Sequence, residues 1–268
     1  MSSSSTSSRT NASSTSAATG VRIERSAKRI RSYLDGHLVV DTDRPLLVYE
    51  NGHWPQLYLP RAAVVAELVA SGGTTTLRTG DEADRFDVVV GTARAESAAL
   101  VASDPGDARL ADHVRFDWDA MDAWFEEDQL VVGHLRDPYH RVDALPSGRH
   151  VEIRVDGTLV ADSRTPVVVH ETRLIPRFYL ALSDVDQRLL EPSETVTVCP
   201  YKGSTRYWHL RVGDELLEDV AWAYPSPLHE SAPIAGRICF DDTRVDVTLD
   251  GVAQPRPGSP LLDDLLGA

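Results

Sequence analysis

The chain has 268 residues, room for two domains of ordinary size, and sets 27 Lys and Arg against 41 Asp and Glu for a formal charge of −14. That balance excludes a nucleic-acid backbone as partner, which needs a Lys/Arg face. No apolar run approaches the ~20 residues that span a bilayer, and two cysteines, Cys199 and Cys239, are too few for a disulfide framework or a four-Cys zinc site.

Residues 1–21 read as a disordered tail. Met1 to Gly20 is rich in Ser, Thr and Ala, with Arg9 as its lone charge and no apolar signal core. An organelle transit peptide is the less favoured reading of the same stretch. A first β domain is expected over 22–133. In it, Tyr33-Leu34-Asp35-Gly36 reads as the end of a strand and a hairpin turn. Residues 120–127 read as a helix. Asp122 and Glu126, four apart, and the pair Asp117 and Asp119 are explained by an acidic helix start. Nucleotidyltransferases hold Mg²⁺ on an Asp-x-Asp pair, but usually after a Gly-Ser turn, which is absent here.

The linker, 134–148, opens with His134-Leu135-Arg136-Asp137-Pro138-Tyr139-His140-Arg141-Val142-Asp143. It reads as a salt-bridged joint between domains. The functional alternative is that Arg136 and Arg141 reach over the second domain and bind an anion. No spacing there sets metal ligands.

The second β domain is expected over 149–253. Val151, Ile153 and Val155 alternate with polar residues as a half-buried strand. Asp156-Gly157 is a hairpin turn of the kind that needs positive φ, 159–162 is the returning strand, and Pro166 opens a short buried strand through Val169. Ser183 reads as the N-cap of a short helix with Leu189 and Leu190 on its apolar side, ended by Pro192. Strands follow at 195–199, 207–212, 220–224, 237–240 and 244–249, with Asp250-Gly251 as a further turn. A tail over 254–268, with Pro255, Pro257 and Pro260, carries no structural signal.

The two halves are copies. Asp35 and Asp156 are 121 residues apart, and at that offset 11 of the 26 positions in 35–60 and 156–181 are identical. Chance gives roughly two, so the chain is an internal duplication. Carried onward, the offset sets Cys199 to Gly203 against Arg78 to Glu82, Trp208 against Asp87, Trp222 against Val101 and Tyr224 against Ser103. Glu171 and Tyr179 match Glu50 and Tyr58 and read as structural. The residues kept only by the second copy mark the candidate site.

Cys199 is a candidate nucleophile with Lys202 beside it, or a buried strand-end Cys. Lys202, in a turn with Gly203, binds an anion, forms an imine, or is a solvated turn Lys. Tyr201, Trp208, Trp222 and Tyr224 form an aromatic pocket, or fill a small core. Cys239 reads as core.

The set Asp156-Gly157, Glu171-Thr172, Pro176-Arg177-Phe178-Tyr179, Cys199-Pro200-Tyr201-Lys202-Gly203, Ala221-Trp222-Ala223-Tyr224-Pro225, Ala232-Pro233-Ile234-Ala235-Gly236 and Phe240-Asp241 resembles family 427 of the domains of unknown function. The first half, with Phe116-Asp117-Trp118-Asp119 and Trp124-Phe125-Glu126-Glu127-Asp128, resembles the degenerate partner of tandem members. The resemblance implies a sheet arrangement like the Mss4 and methionine sulfoxide reductase B group. The paired Cys-x-x-Cys motifs of that group are missing here, so no structural zinc is expected. The family also carries a nucleotidyltransferase label.

The fold class expected is mainly β: two tandem small antiparallel domains, each a folded sheet or barrel, with short helices. The function expected is a cytoplasmic small-molecule binding or sensing protein with an aromatic, Lys and Cys pocket in the second domain. An enzyme using Cys199 or Lys202 (transferase-like) and a purely structural or interaction module are the alternatives. No metal, cofactor, nucleic-acid or membrane partner is indicated.

Overall fold

The computed structural model describes residues 20–50 and 54–257. The expected tail over residues 1–19, and Pro260 with the rest of 258–268, lie outside the described residues.

The first half runs β1 (Val21–Arg25), β2 (Ile30–Leu34), β3 (His37–Thr42), β4 (Leu46–Glu50), β5 (Gln56–Pro60), β6 (Glu67–Thr76), β7 (Glu82–Val90), β8 (Ala93–Ala102), β9 (His113–Phe116), β10 (Ala123–Glu126) and β11 (Gln129–Leu130). The second half runs β12 (Val142–Pro146), β13 (Val151–Val155), β14 (Thr158–Ser163), β15 (Val167–Glu171), β16 (Arg177–Ala181), β17 (Leu190–Pro192), β18 (Val198–Cys199), β19 (Gly203–Ser204), β20 (Arg206–Val212), β21 (Glu215–Ala223), β22 (Arg237–Phe240), β23 (Asp246–Leu249) and β24 (Val252–Ala253).

Each half folds into the same pair of antiparallel sheets. The large sheet has the order β1-β4-β5-β9-β8-β7-β6 in the first half and β12-β15-β16-β22-β21-β20-β17 in the second. The small sheet has the orders β11-β10-β2-β3 and β24-β23-β13-β14. The registers agree as well: Val21 pairs with Glu50 as Val142 pairs with Glu171, both at the 121 offset. The duplication is therefore one of three-dimensional structure, not of a short motif.

Strand alternation explains where the cores lie. In β2 Ile30, Ser32 and Leu34 are buried, and in β13 Val151, Ile153 and Val155 are; these faces close the main core of each half against the large sheet. Leu57 and Leu59 of β5 point into that core, while Tyr58 between them points into a second, smaller core on the opposite face. Tyr179 of β16 does the same in the second half. Asp35-Gly36, Asp156-Gly157 and Asp250-Gly251 all take positive φ, as two-residue hairpin turns require.

The structure corrects several expectations. Neither sheet closes into a barrel; both are open ladders. The helix expected over 120–127 is strand β10, laid along β2 with Trp124 opposite Ser32. Trp124 is buried and Phe125 turns to the other face, so a two-residue period wins over local helix preference. Asp122 instead accepts the Asp35 backbone N–H, and Glu126 takes the Lys28 ammonium at 2.9 Å. The helix expected from Ser183 is two separate 3₁₀ turns, Leu182–Asp184 and Gln187–Leu189, and the cap on the latter is Asp186. Leu190–Pro192 is already strand. The strand expected over 195–199 shortens to Val198–Cys199. β12 falls inside the stretch expected as linker, yet it is an edge strand hydrogen-bonded along β15. Among the described residues no helix is long and apolar enough to cross a membrane.

Candidate functional site

Ladder positions, rather than a constant offset, decide which residues correspond. Ala99 pairs with Phe116 and Phe86; Ala221 pairs with Phe240 and Trp208. Trp208 therefore stands where the first half has Phe86, one position away from the Asp87 that the 121 offset gives. A residue gained between β5 and β7 moves the frame. The same shift sets Trp222 on Leu100, and the turns agree: Lys202 N–H donates to Cys199 O as Gly80 N–H does to Leu77 O. Cys199 then stands on Leu77, Lys202 on Gly80 and Tyr224 on Ala102.

This frame separates the predicted residues. Trp208 packs into the main core beside Leu210 and Val220. Trp222, Tyr224 and Cys199 pack on the other face of the sheet into the small core, with Val167, Val169, Tyr179, Ile234 and Cys239. The four aromatic residues thus do not meet in one pocket. In the first half the same small core holds Leu77, Leu100 and Ala102, so the cluster is the more aromatic and more polar one in the second half. Trp222 Nε1 donates to the Tyr179 hydroxyl at 3.2 Å. Burial pushes the Tyr179 and Tyr224 phenols up, and pushes the Cys239 thiol up to about 12. Cys199 has no imidazole or amine hydrogen-bonded to it among the described residues.

Tyr201 and Lys202 face elsewhere, toward the junction. Lys202 is 7% exposed, and its ammonium is bonded to Glu171. Glu171 Oε1 also meets His140 Nε2 at 2.9 Å. The turn that carries Lys202 needs glycine next: Gly203 has φ +103, and a Cβ there would meet Ser226 O at 3.2 Å. The Lys202 carbonyl accepts from Leu228 N–H at 3.1 Å, which pins the turn from outside. The Tyr201 ring lies tilted against His140, centroids 4.1 Å apart, and Trp54 of the first half meets His140 edge-on at 5.0 Å. The Tyr201 hydroxyl accepts from Asp137 N–H at 2.7 Å, and burial pushes its phenol up.

Sequence alone does not single out Glu171 or His140 as site residues, because Glu171 matches Glu50 and so reads as structural. Glu50 is indeed buried against the Tyr58 hydroxyl at 3.1 Å, but the partners differ between halves. The first half has Gly80 where Lys202 stands, and Arg115 where Cys239 stands. The signal that would have found the pair is a conserved buried carboxyl with a new cation only in the second copy.

In front of this buried row opens a cleft of about 530 Å³, lined by Lys28, Arg136, Asp137, His140, Arg141 and Tyr201 among others. Lys28 is paired with Glu126, and Arg141 with Asp143 at 2.8 Å. Arg136 differs. Its Nε donates to Pro200 O at 2.7 Å, and it has no carboxylate partner among the described residues. That bond fixes one edge of the guanidinium at the cleft. A separate group, His150, Glu152 and Asp162, has the spacing of a metal site. Its His150–Asp162 contact of 2.7 Å repeats the Arg29–Asp41 ion pair of the first half, so it reads as the same cross-strand pair.

The titrating groups give the junction a pH dependence. Burial works to raise the Glu171 carboxyl, but the His140 hydrogen bond and the Lys202 charge outweigh it and hold it below its ordinary value. Its contribution is present above the ordinary carboxyl range and is lost as pH falls through the lower folded value. Burial also holds His134 below 6.5. Below 6.5 the unfolded chain takes a proton that the folded imidazole refuses, so stability falls as pH drops from there. Unfolding midpoints measured across pH should decline in two stages. His134→Gln should remove the upper stage alone; an unchanged upper slope in that variant would show that His134 is not its source.

One family model matches both halves, over residues 22–127 and 143–251, and is described as a domain of unknown function (DUF427). No curated protein matches the chain.

Proposed function

The chain belongs to the DUF427 family of domains of unknown function, and from that premise we propose that it is a small-molecule binding or sensing protein whose ligand is a small anion held in the junction cleft. The observation that carries this reading is Arg136, the one cation of the cleft's Lys28, Arg136 and Arg141 without a carboxylate partner among the described residues. It is positioned by Pro200, the neighbour of Tyr201, so the second domain's turn sets its direction. Fixed guanidinium groups suit carboxylate and phosphate oxygens. The Tyr201 ring, backed by the buried His140, gives the cleft an aromatic wall, and a domain junction is a common place for such a cleft.

Binding is favoured over covalent chemistry at Lys202 and Cys199. An ammonium committed to a buried carboxylate has no lone pair with which to attack a carbonyl. Cys199 occupies a packing position that the first half gives to leucine, and among the described residues no base is hydrogen-bonded to it. The unpaired cysteines fit the cytoplasm as the protein's setting.

The test is the thermal midpoint of the full chain with inorganic phosphate and with benzoate, against sodium chloride at equal ionic strength. Either anion at a hundred times its dissociation constant should stabilise by about 2.7 kcal/mol, and Arg136→Ala should abolish the shift while lowering the unliganded stability by no more than the ~1 kcal/mol of its one hydrogen bond to Pro200. No shift beyond that of chloride, or the same shift in Arg136→Ala, would refute the anion site.

A further inference from the structure

An open groove of about 690 Å³ runs along the second domain, away from the junction cleft. Val168 and Phe178 from the large sheet and Val247 and Leu249 from the small sheet line it, together with Ile175 and Asp242. It is the gap where the two sheets part.

The first half closes the same gap with indole rings. Trp124 lies opposite Ser32 on β2 as Val247 lies opposite Ile153 on β13, so Trp124 and Val247 correspond. Asp117 N–H donates to Ala98 O and Asp241 N–H to Val220 O, each at 2.8 Å, so the residues that follow, Trp118 and Asp242, correspond as well. Trp54 corresponds to Ile175 at the 121 offset. Trp118 and Trp124 stack with centroids 4.7 Å apart and planes 7° from parallel. Trp118 Nε1 donates to Gly133 O at 2.8 Å, and Leu135 is buried beside them. The stacked pair Trp118 and Trp124 is therefore Asp242 and Val247 in the second half, while Trp54, whose ring packs on His134 and His140 at the junction, stands on Ile175. Ile153 in place of Ser32 takes back part of the volume. The remainder is the groove.

We propose that this groove binds a flat aromatic molecule of one or two fused rings, seated where the first domain places its own indole pair. Apolar walls of Val168, Val247 and Leu249 would cover the ring faces, and the Phe178 ring gives an aromatic edge or face contact. Ser147, Arg149, His170 and Gln254 add polar groups to the lining, so an aromatic ring with a polar edge, such as an indole N–H, suits the groove better than a bare hydrocarbon. The Asp242 carboxylate, held by Arg177, supplies a polar group to the groove. The site shares no lining residue with the junction cleft and does not rest on the anion reading.

Indole is the probe. Titrated into the full chain and followed by amide NMR shifts, it should saturate, with the shifts centred on Val168, Phe178, Val247 and Leu249. Val247→Trp supplies the missing ring from the protein and should weaken indole binding at least tenfold. Val168→Phe fills the groove from the opposite wall and serves if the first variant does not fold. Arg136→Ala should leave indole affinity unchanged, which keeps this site separable from the junction. Absence of saturable binding to the parent chain, shifts centred elsewhere, or unchanged affinity in a folded groove-filling variant would overturn the proposal.

Discussion

Lys202→Met is expected to lower the stability of the second domain by about 3–5 kcal/mol, the cost of leaving a buried carboxylate without its cation. Both side chains of the pair are 9% exposed, so solvent cannot substitute for the lost ammonium. His140 still reaches Glu171, but one hydrogen bond does not replace a full charge in a water-poor site. The neutral pair Lys202→Met with Glu171→Gln should recover most of the loss, because a Gln amide needs no counter-charge and still accepts from His140. Chemical unfolding of the parent, both single variants and the double variant closes a thermodynamic cycle. A coupling energy near zero would mean that Lys202 and Glu171 do not meet in the folded protein. The first half shows why the pair is worth this test: Gly80 stands where Lys202 does, and Glu50 is buried against Tyr58 without a lysine. The ion pair is present in one copy only.

How far the fold could be read from residues depended on whether a signal was local. Asp35-Gly36 and Asp156-Gly157 declared their hairpins because two-residue turns of that type demand positive φ. The duplication followed from matched turns and alternation at one offset, and it correctly implied two domains of one topology. Trp124 was misplaced for the opposite reason. The acidic residues around it, Asp122 and Glu126 four apart, suit a helix start, and only its pairing with β2, some ninety residues away, makes it a strand. Edge strand β12 escaped notice because its ladder partner β15 lies beyond two further strands.

The candidate site was legible only in part, and the reason is a frame. An ungapped offset past β5 set Trp208 on an aspartate and made it look like a novelty of the second copy. Strand pairing sets it on Phe86, an aromatic core position shared by both. Tyr201 and Lys202 kept their interest because a turn residue with a glycine neighbour has no packing reason to be large. Their partner Glu171 was discounted as shared, although a shared carboxyl can acquire a different role when its neighbours change. Arg136 was visible as one charge in a dense run. That Arg141 meets a carboxylate while Arg136, among the described residues, meets only a backbone carbonyl is a fact of three dimensions alone.

Trp124→Ala is expected to cost the first domain about 3–5 kcal/mol, the range for deleting a buried indole that leaves a cavity. Trp124 is 4% exposed, stacks on Trp118, meets Phe116 edge-on at 6.3 Å and donates its indole N–H to Trp118 O at 3.0 Å. For a domain of this size the thermal midpoint should fall by about 12–20 °C. The second domain, with its own core, should keep its midpoint, so a single transition in the parent should split into two. The void left by Trp124→Ala would resemble the groove that the second domain already has. Added indole should therefore restore part of the lost midpoint in this variant, since a guest that binds only the folded state stabilises it by mass action. A fall of less than about 1 kcal/mol would place Trp124 outside the core and remove the strand pairing on which the comparison of the two halves is built.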